Sequence, residues 1–432
     1  MSVELTILTG LIALLALVGV IRPAMLFEYP VAGSMLMWFF LLPQAWRIES
    51  VGELNDFEPS LTWGYMILCM VMTAVGFWAG GIRATVTGRN DLAELRNKYD
   101  LNKLLVGAVV LVIVGGIAQI LLSREVATMQ VGEAFTGAVA FYVMISALLI
   151  YGASLGWLLY LYTRDKRALA LALIGLAVTV PTILFAARRE LSFTVVSIIF
   201  LGIWLVKKKS ISRFLLIPLV FLGAVLINEA GAIRGYIARE NSTLVGALSA
   251  DELNDTSRSK NNYDEMASGI SDIAITSWSD EYTFFSPYYN TLIQLYVPAF
   301  ILGHDIKDGL KIKEDNNDEE YYNKYFANGA TRTGFSDSFQ AFHYFGCLVF
   351  FGISYFMGRL WKRANSGDIL SQLYYMILLA SGLKVFTEST SIFVGVLPLL
   401  FGSTYVIFRY ARRPKIATAG NVTPHTPRRR VS

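Results

Sequence analysis

Residues 104–122 read LLVGAVVLVIVGGIAQILL. Nineteen residues pass without a charge, and Gln119 is the one side chain among them that can hydrogen-bond. As an α-helix this run covers ~28 Å, close to the hydrocarbon thickness of a bilayer. It shows no period-two alternation, so it does not read as a strand of a barrel. In lipid only helices and closed barrels satisfy their own backbone. Similar runs fall at 4–21, 31–46, 61–81, 135–162, 168–187, 191–206, 214–231, 342–360, 369–387 and 391–408. The composition agrees: 54% of the 432 residues are hydrophobic and 16% charged, where a soluble protein carries ~25% charged residues. Mean hydropathy is +0.49. The sequence predicts an all-α membrane protein, a polytopic bundle of about eleven transmembrane helices with one large extracytoplasmic loop.

Lysine and arginine in the short connections set the orientation, because they are retained on the cytoplasmic side. One side receives 23 of them, including Arg22, the group between 83 and 103, Arg164–Arg167, Lys207–Arg213, Arg359–Arg363 and the tail. The other receives five: Arg47, Arg124, Arg188, Arg189 and Lys384. The expected C-terminus is therefore cytoplasmic and, with eleven spans, the N-terminus lies outside. The run 4–21 lacks a basic leader and a small-residue cleavage site, so it reads as a retained helix.

The domain plan follows. Residues 1–231 carry eight helices, 232–341 form the extracytoplasmic loop, 342–410 carry three more helices, and 411–432 are a basic cytoplasmic tail without fixed structure. The loop holds nine basic and seventeen acidic residues, half of all acids in the chain. Within it, 282–303 (YTFFSPYYNTLIQLYVPAFILG) is aromatic and apolar but too short to span, so a re-entrant or interfacial helix is expected there.

Basic residues on the extracytoplasmic side run against the topological bias, which draws attention to them. Arg188 and Arg189, in FAARRELSF, sit in a short turn between two runs. Their forked guanidiniums suit a phosphate or diphosphate; the competing reading is a snorkelling pair, or one neutralised by Glu190. Arg234 and Arg239, with Tyr236 between them, form a second candidate anion cluster, or else pair with Glu229 and Glu240. Lys384 lies near the outer end of the tenth run, where an ionisable residue is a functional candidate, or a packing pair with Glu388. Arg332 and His304 are further candidate substrate contacts. Asp337 and His343 are candidate bases; Asp337 reads equally well as the N-cap of the helix entering the ninth span, and His343 as a structural hydrogen-bonding group.

Absences narrow the chemistry. The sequence has no GxxxxGK[ST], no GxGxxG with a distant acid and no DxD, so nothing points to a cytoplasmic nucleotide site. Neither the two cysteines, both inside apolar runs, nor the three histidines have metal-ligand spacing. The basic residues flank apolar runs and form no aromatic-interleaved patch, which argues against nucleic acid. No cofactor is expected.

The stretch 331–361, TRTGFSDSFQAFHYFGCLVFFGISYFMGRLW, resembles the pattern of Wzy-type polysaccharide repeat-unit polymerases, which are related in architecture to O-antigen ligases. The shared features are a Ser or Thr, an acid and aromatic, the Phe345–Gly346 pair and the later Gly352. Gln340 stands where relatives often place a glutamate. The resemblance implies a bacterial inner-membrane glycosyltransferase that moves a growing glycan from undecaprenyl diphosphate onto another lipid-linked repeat unit. It further implies that the outer arginines hold the donor diphosphate without a metal, and that a chain-length regulator is a partner besides membrane lipids. Trp278, Tyr282, Tyr288 and Tyr289 become sugar-stacking platforms on this reading, or an interfacial aromatic belt on the plainer one. Three rival functions stay open: a flippase for lipid-linked glycans, a ligase with the same donor and another acceptor, and a non-enzymatic membrane scaffold.

Overall fold

The structure, a computed structural model, describes residues 2–52, 54–83, 92–126, 137–185, 189–209, 265–279, 282–312 and 333–414. Statements of absence below concern those residues. Seven helices are long and apolar enough to cross a membrane: Val3–Ile21, Pro59–Ile82, Leu101–Glu125, Ala138–Thr163, Gly334–Asn365, Ile369–Thr387 and Thr390–Ala411. With no strand among the described residues, the protein is an all-α membrane protein.

In chain order the helices are α1 (Val3–Ile21), α2 (Tyr29–Leu36), α3 (Leu42–Val51), α4 (Pro59–Arg83), α5 (Leu92–Lys98), α6 (Leu101–Val126), α7 (Gly137–Thr163), α8 (Lys166–Phe185) and α9 (Arg189–Lys207). In the described segments that follow come α10 (Glu265–Ser279), α11 (Ser286–Tyr296), α12 (Ala299–Leu302), α13 (His304–Leu310), α14 (Gly334–Phe342), α15 (Cys347–Asn365), α16 (Ile369–Thr387) and α17 (Thr390–Ala411). The expected run 31–46 is a compound element, in which the π turn Met37–Leu41 joins α2 to α3. Runs 168–187 and 191–206 correspond to α8 and α9. The run 214–231, the polar stretch 250–264 and the tail beyond Pro414 lie outside the described residues.

One boundary differs from the sequence reading. The ninth span begins at Gly334 and not near 342, because α14 leads through the 3₁₀ turn His343–Gly346 into α15. Two local causes produce the break. His343 adopts φ +53°, which a continuing helix does not allow. Gly346 lies so close to the Ser338 carbonyl and the Tyr65 hydroxyl that no Cβ fits.

Helix ends sort into two groups. At one, the Asp100 N–H donates to the Ala411 carbonyl (2.8 Å) and the Arg413 N–H to the Lys98 carbonyl (3.0 Å), while Lys208 Nζ reaches Asn365 Oδ1 at 2.9 Å. This end carries the clusters around 96–103, 164–167, 207–209, 359–363 and 409–413. At the other, Glu49 accepts from the Ser2 N–H (2.5 Å) and Trp63 Nε1 (3.2 Å), and Gln44 donates to Glu265 (3.1 Å). The helix α9 runs unbroken between Arg189 and Lys207, ~27 Å from end to end. It therefore separates those two basic residues onto opposite ends.

Small residues let the helices touch, as expected where lipid removes the hydrophobic drive for association. Gly76 and Gly80 of α4 lie against the Phe351 and Tyr355 carbonyls of α15, and Gly358 of α15 lies against the Phe77 carbonyl of α4. Ser354 donates across the same seam to the Thr73 carbonyl. Helix α16 is the most enclosed span: 78% of its apolar window is buried, against 22% for α1. By contrast α6 leaves Val106, Val110, Ile113, Ile117 and Ile120 exposed as a lipid-facing stripe.

Candidate functional site

A cavity of about 600 Å³ opens among the helix ends opposite the basic clusters. Its wall combines Gln119 and Leu122 from the end of α6, residues 143–151 of α7, Thr179 of α8, Thr194 of α9, and Ile377, Ser381 and Lys384 from the end of α16. Ile392–Leu399 of α17 close one side, and α11 roofs it with Asn290, Thr291, Gln294, Leu295 and Tyr296. Leucine, isoleucine, valine and methionine make an apolar lining, punctuated by hydroxyls and amides. Lys384 and Lys311 are the two ionisable cations that line it, and no carboxylate does. Lys384 pairs at 3.6 Å with Glu388, one turn on, and Lys311 at 2.8 Å with Asp308. The Lys311 ammonium holds the exposed Asp308 carboxyl below its usual range.

The α11 roof is bonded to α17 beside a proline in that helix. Pro398 stands inside α17 and brings no N–H. Beside it the Tyr296 hydroxyl accepts from the Leu399 N–H (3.0 Å) and donates to the Gly395 carbonyl (2.8 Å). Those two backbone groups are four residues apart, the spacing of a helix hydrogen-bond pair, so the Tyr296 hydroxyl joins the α17 ladder next to the donor that Pro398 lacks. Tyr296, Gly395 and Leu399 all line the cavity.

Asp337 anchors the same region from α14. It is buried, and its Oδ2 accepts from the Thr390 N–H (2.9 Å), the Ser389 hydroxyl (3.0 Å) and the Thr390 hydroxyl. The Thr390 hydroxyl also meets Tyr288 Oη at 2.9 Å, and the Thr291 hydroxyl donates to Ser391 at 2.9 Å. The sequence alternative that Asp337 caps its own helix is corrected: Thr333 is that N-cap, accepting from the Ser336 N–H. Asp337 instead caps α17, fifty-three residues away, where a negative charge meets the positive end of the helix dipole. Removing the carboxylate strands a buried N–H and two hydroxyls. An Asp337→Ala variant is expected to lose ~2–4 kcal/mol of stability, seen as a lower melting temperature in detergent, while Asp337→Asn, which keeps one acceptor, loses less.

The remaining expectations divide. Of the predicted residues, Lys384 lines the cavity. Arg189 begins α9, a turn and a half before the cavity-lining Thr194. His343 does not line it; its ring sits in an aromatic group with Phe339 (4.4 Å), Tyr344 (4.5 Å) and Tyr282 (5.7 Å). His304 is an exposed residue opening α13. Arg188, Arg234, Tyr236, Arg239 and Arg332 lie outside the described residues. Sequence reasoning passed over Lys311, Thr179, Thr194 and Tyr296. Gln119, the one polar group in its run, was the available signal for a cavity.

Comparison of the chain with protein-family models, with curated proteins and with solved structures finds no match.

Proposed function

We propose that this protein is a glycosyltransferase that polymerises undecaprenyl-diphosphate-linked oligosaccharide repeat units into surface polysaccharide, at the outer face of the bacterial inner membrane. The observation that carries the proposal is the cavity at the charge-poor ends of the helices, with Lys384 and Lys311 set in a largely apolar wall of described residues. By the positive-inside rule the basic ends are cytoplasmic, so the cavity faces outward. Its apolar wall suits the first isoprene units of a carrier, and its lysines suit a diphosphate.

In the reaction an acceptor sugar hydroxyl attacks the donor's anomeric carbon. The bond from that carbon to the diphosphate oxygen breaks, the diphosphate leaves with the electron pair, and the acceptor proton passes to a base. Fixed cations beside the leaving group stabilise the charge that develops there, the role assigned to Lys384, Lys311 and the arginines at 188–189.

Deletion of the protein tests this reading. Gel analysis is expected to show the polysaccharide ladder lost while single repeat units remain on the lipid carrier at the outer face. Accumulated lipid-linked polymer would instead indicate a ligase. The flippase alternative has one feature in its favour, a proline inside the membrane-spanning helix α17 beside a cavity, since proline-bearing spans are used by transporters. Repeat units trapped on the cytoplasmic face would establish it.

A further inference from the structure

The segment after the α11 roof has an inverted burial pattern. In α13 the side chain of Lys307 is buried (5% exposed), its Nζ donating to the Gln294 carbonyl of α11 at 2.8 Å. Ile306 and Leu310, one helical turn apart on a neighbouring face, are 55% and 42% exposed. Phe300, Ile301 and Leu302 of α12 and Ile312 after α13 are exposed as well. A helix in water turns its lysine out and its isoleucine and leucine in; the opposite arrangement is what an apolar surrounding selects. His304 and Asp308 lie on the far face of α13, which gives the helix a protein-facing, an apolar and a polar side.

Placement supports lipid as that surrounding. Phe300 packs edge-on against Phe141 at the start of α7 (5.5 Å). The apolar surface thus begins at the end of a transmembrane helix. The segment is also clamped and does not dangle. Asn290 Nδ2 donates to the Ile312 carbonyl (3.0 Å), and the Ile312 N–H donates to Asn290 Oδ1 (2.9 Å).

From these observations we propose that residues 298–312 form a wedge seated in the leaflet at the charge-poor end of the bundle, with Ile306 and Leu310 among acyl chains and His304 and Asp308 at the head groups. Both Asn290 and Lys311 line the cavity, so the wedge places the cavity rim against lipid and gives a lipid-borne ligand a lateral approach. The wedge depends on the membrane-spanning fold and not on the transferase reading, so the two can fail separately.

Nitroxide labels at Ile306→Cys, Leu310→Cys, His304→Cys and Asp308→Cys test it in the full chain reconstituted into phospholipid nanodiscs. The native Cys69 and Cys347 are buried, and the wild-type protein carried through the labelling serves as the blank. Collisions with oxygen, which concentrates in lipid, are expected to exceed those with a water-soluble nickel chelate at 306 and 310. The order is expected to reverse at 304 and 308. Nickel-chelate access at all four positions would place the segment in water and overturn the wedge. Exclusion of both probes at 306 and 310 would overturn it too, by showing protein over that face.

Discussion

Replacing Lys384 with methionine is expected to reduce polymer formation ~10- to 100-fold in a complemented deletion strain, at unchanged protein level. The methionine keeps the volume of the side chain and removes its charge. A charge-assisted hydrogen bond contributes ~1.5–3 kcal/mol, which corresponds to that loss. Position makes Lys384 the cation to test. It stands near the end of the most enclosed span, where an ammonium is costly to hold, and its partner Glu388 is still 3.6 Å away. If the pair served packing alone, Lys384→Met would cost under ~1 kcal/mol of stability and leave activity intact. A Glu388→Gln variant separates the cases further: it removes the neutralising partner, keeps the cation, and is expected to retain polymer formation.

The second large effect is structural. Gly358→Leu is expected to abolish folded protein, read as loss of the monodisperse peak in detergent size-exclusion chromatography. A Cβ at 358 would enter the space of the Phe77 carbonyl, and the main chain of α4 cannot yield without parting from α15. Overpacking of a core by side chains alone costs ~1–3 kcal/mol, and here the obstacle is backbone. The same seam is closed from the other side by Gly76 and Gly80 and fastened by the Ser354–Thr73 hydrogen bond. Gly352 is the control on the same helix. Nothing lies within 4 Å of a Cβ there, so Gly352→Ala is expected to fold normally.

Much of the fold was readable because each span carries its own signal. Runs such as 104–122 and 391–408 announce helices, and the uneven distribution of lysine and arginine anticipates which helix ends lie together. The Lys384–Glu388 pair was also legible, being four residues apart on one helix. What escaped depends on partners distant in sequence. Nothing near Asp337 indicates that it caps a helix beginning at Thr390, since its own surroundings, TGFSDSF, look like a helix start. Nor does the segment SPYYNTLIQLY disclose that its last tyrosine bonds the backbone of α17 beside Pro398. The wedge was legible in part: 282–303 reads as interfacial, while the continuation to 312 does not. Its short helices have little periodicity, and only the burial of Lys307 beside exposed isoleucine and leucine reveals which face meets lipid.

Asp337 and His343 also change weight. Asp337 already spends one carboxylate oxygen on three donors that hold α17 in place, which fits an architectural role better than proton abstraction. His343 sits among aromatic rings away from the cavity wall. A base for the proposed transfer is better sought near the roof formed by α11.

Direct binding of the carrier puts the cavity's assignment to its sharpest test. The purified protein in nanodiscs is titrated with undecaprenyl diphosphate and, in parallel, with uncharged undecaprenol. The cavity lysines predict that the diphosphate binds at least ~10-fold more tightly, and that Lys384→Met removes most of this preference. Equal affinity for the two lipids, or a preference that Lys384→Met leaves untouched, would contradict the assignment of this cavity to a lipid-linked diphosphate.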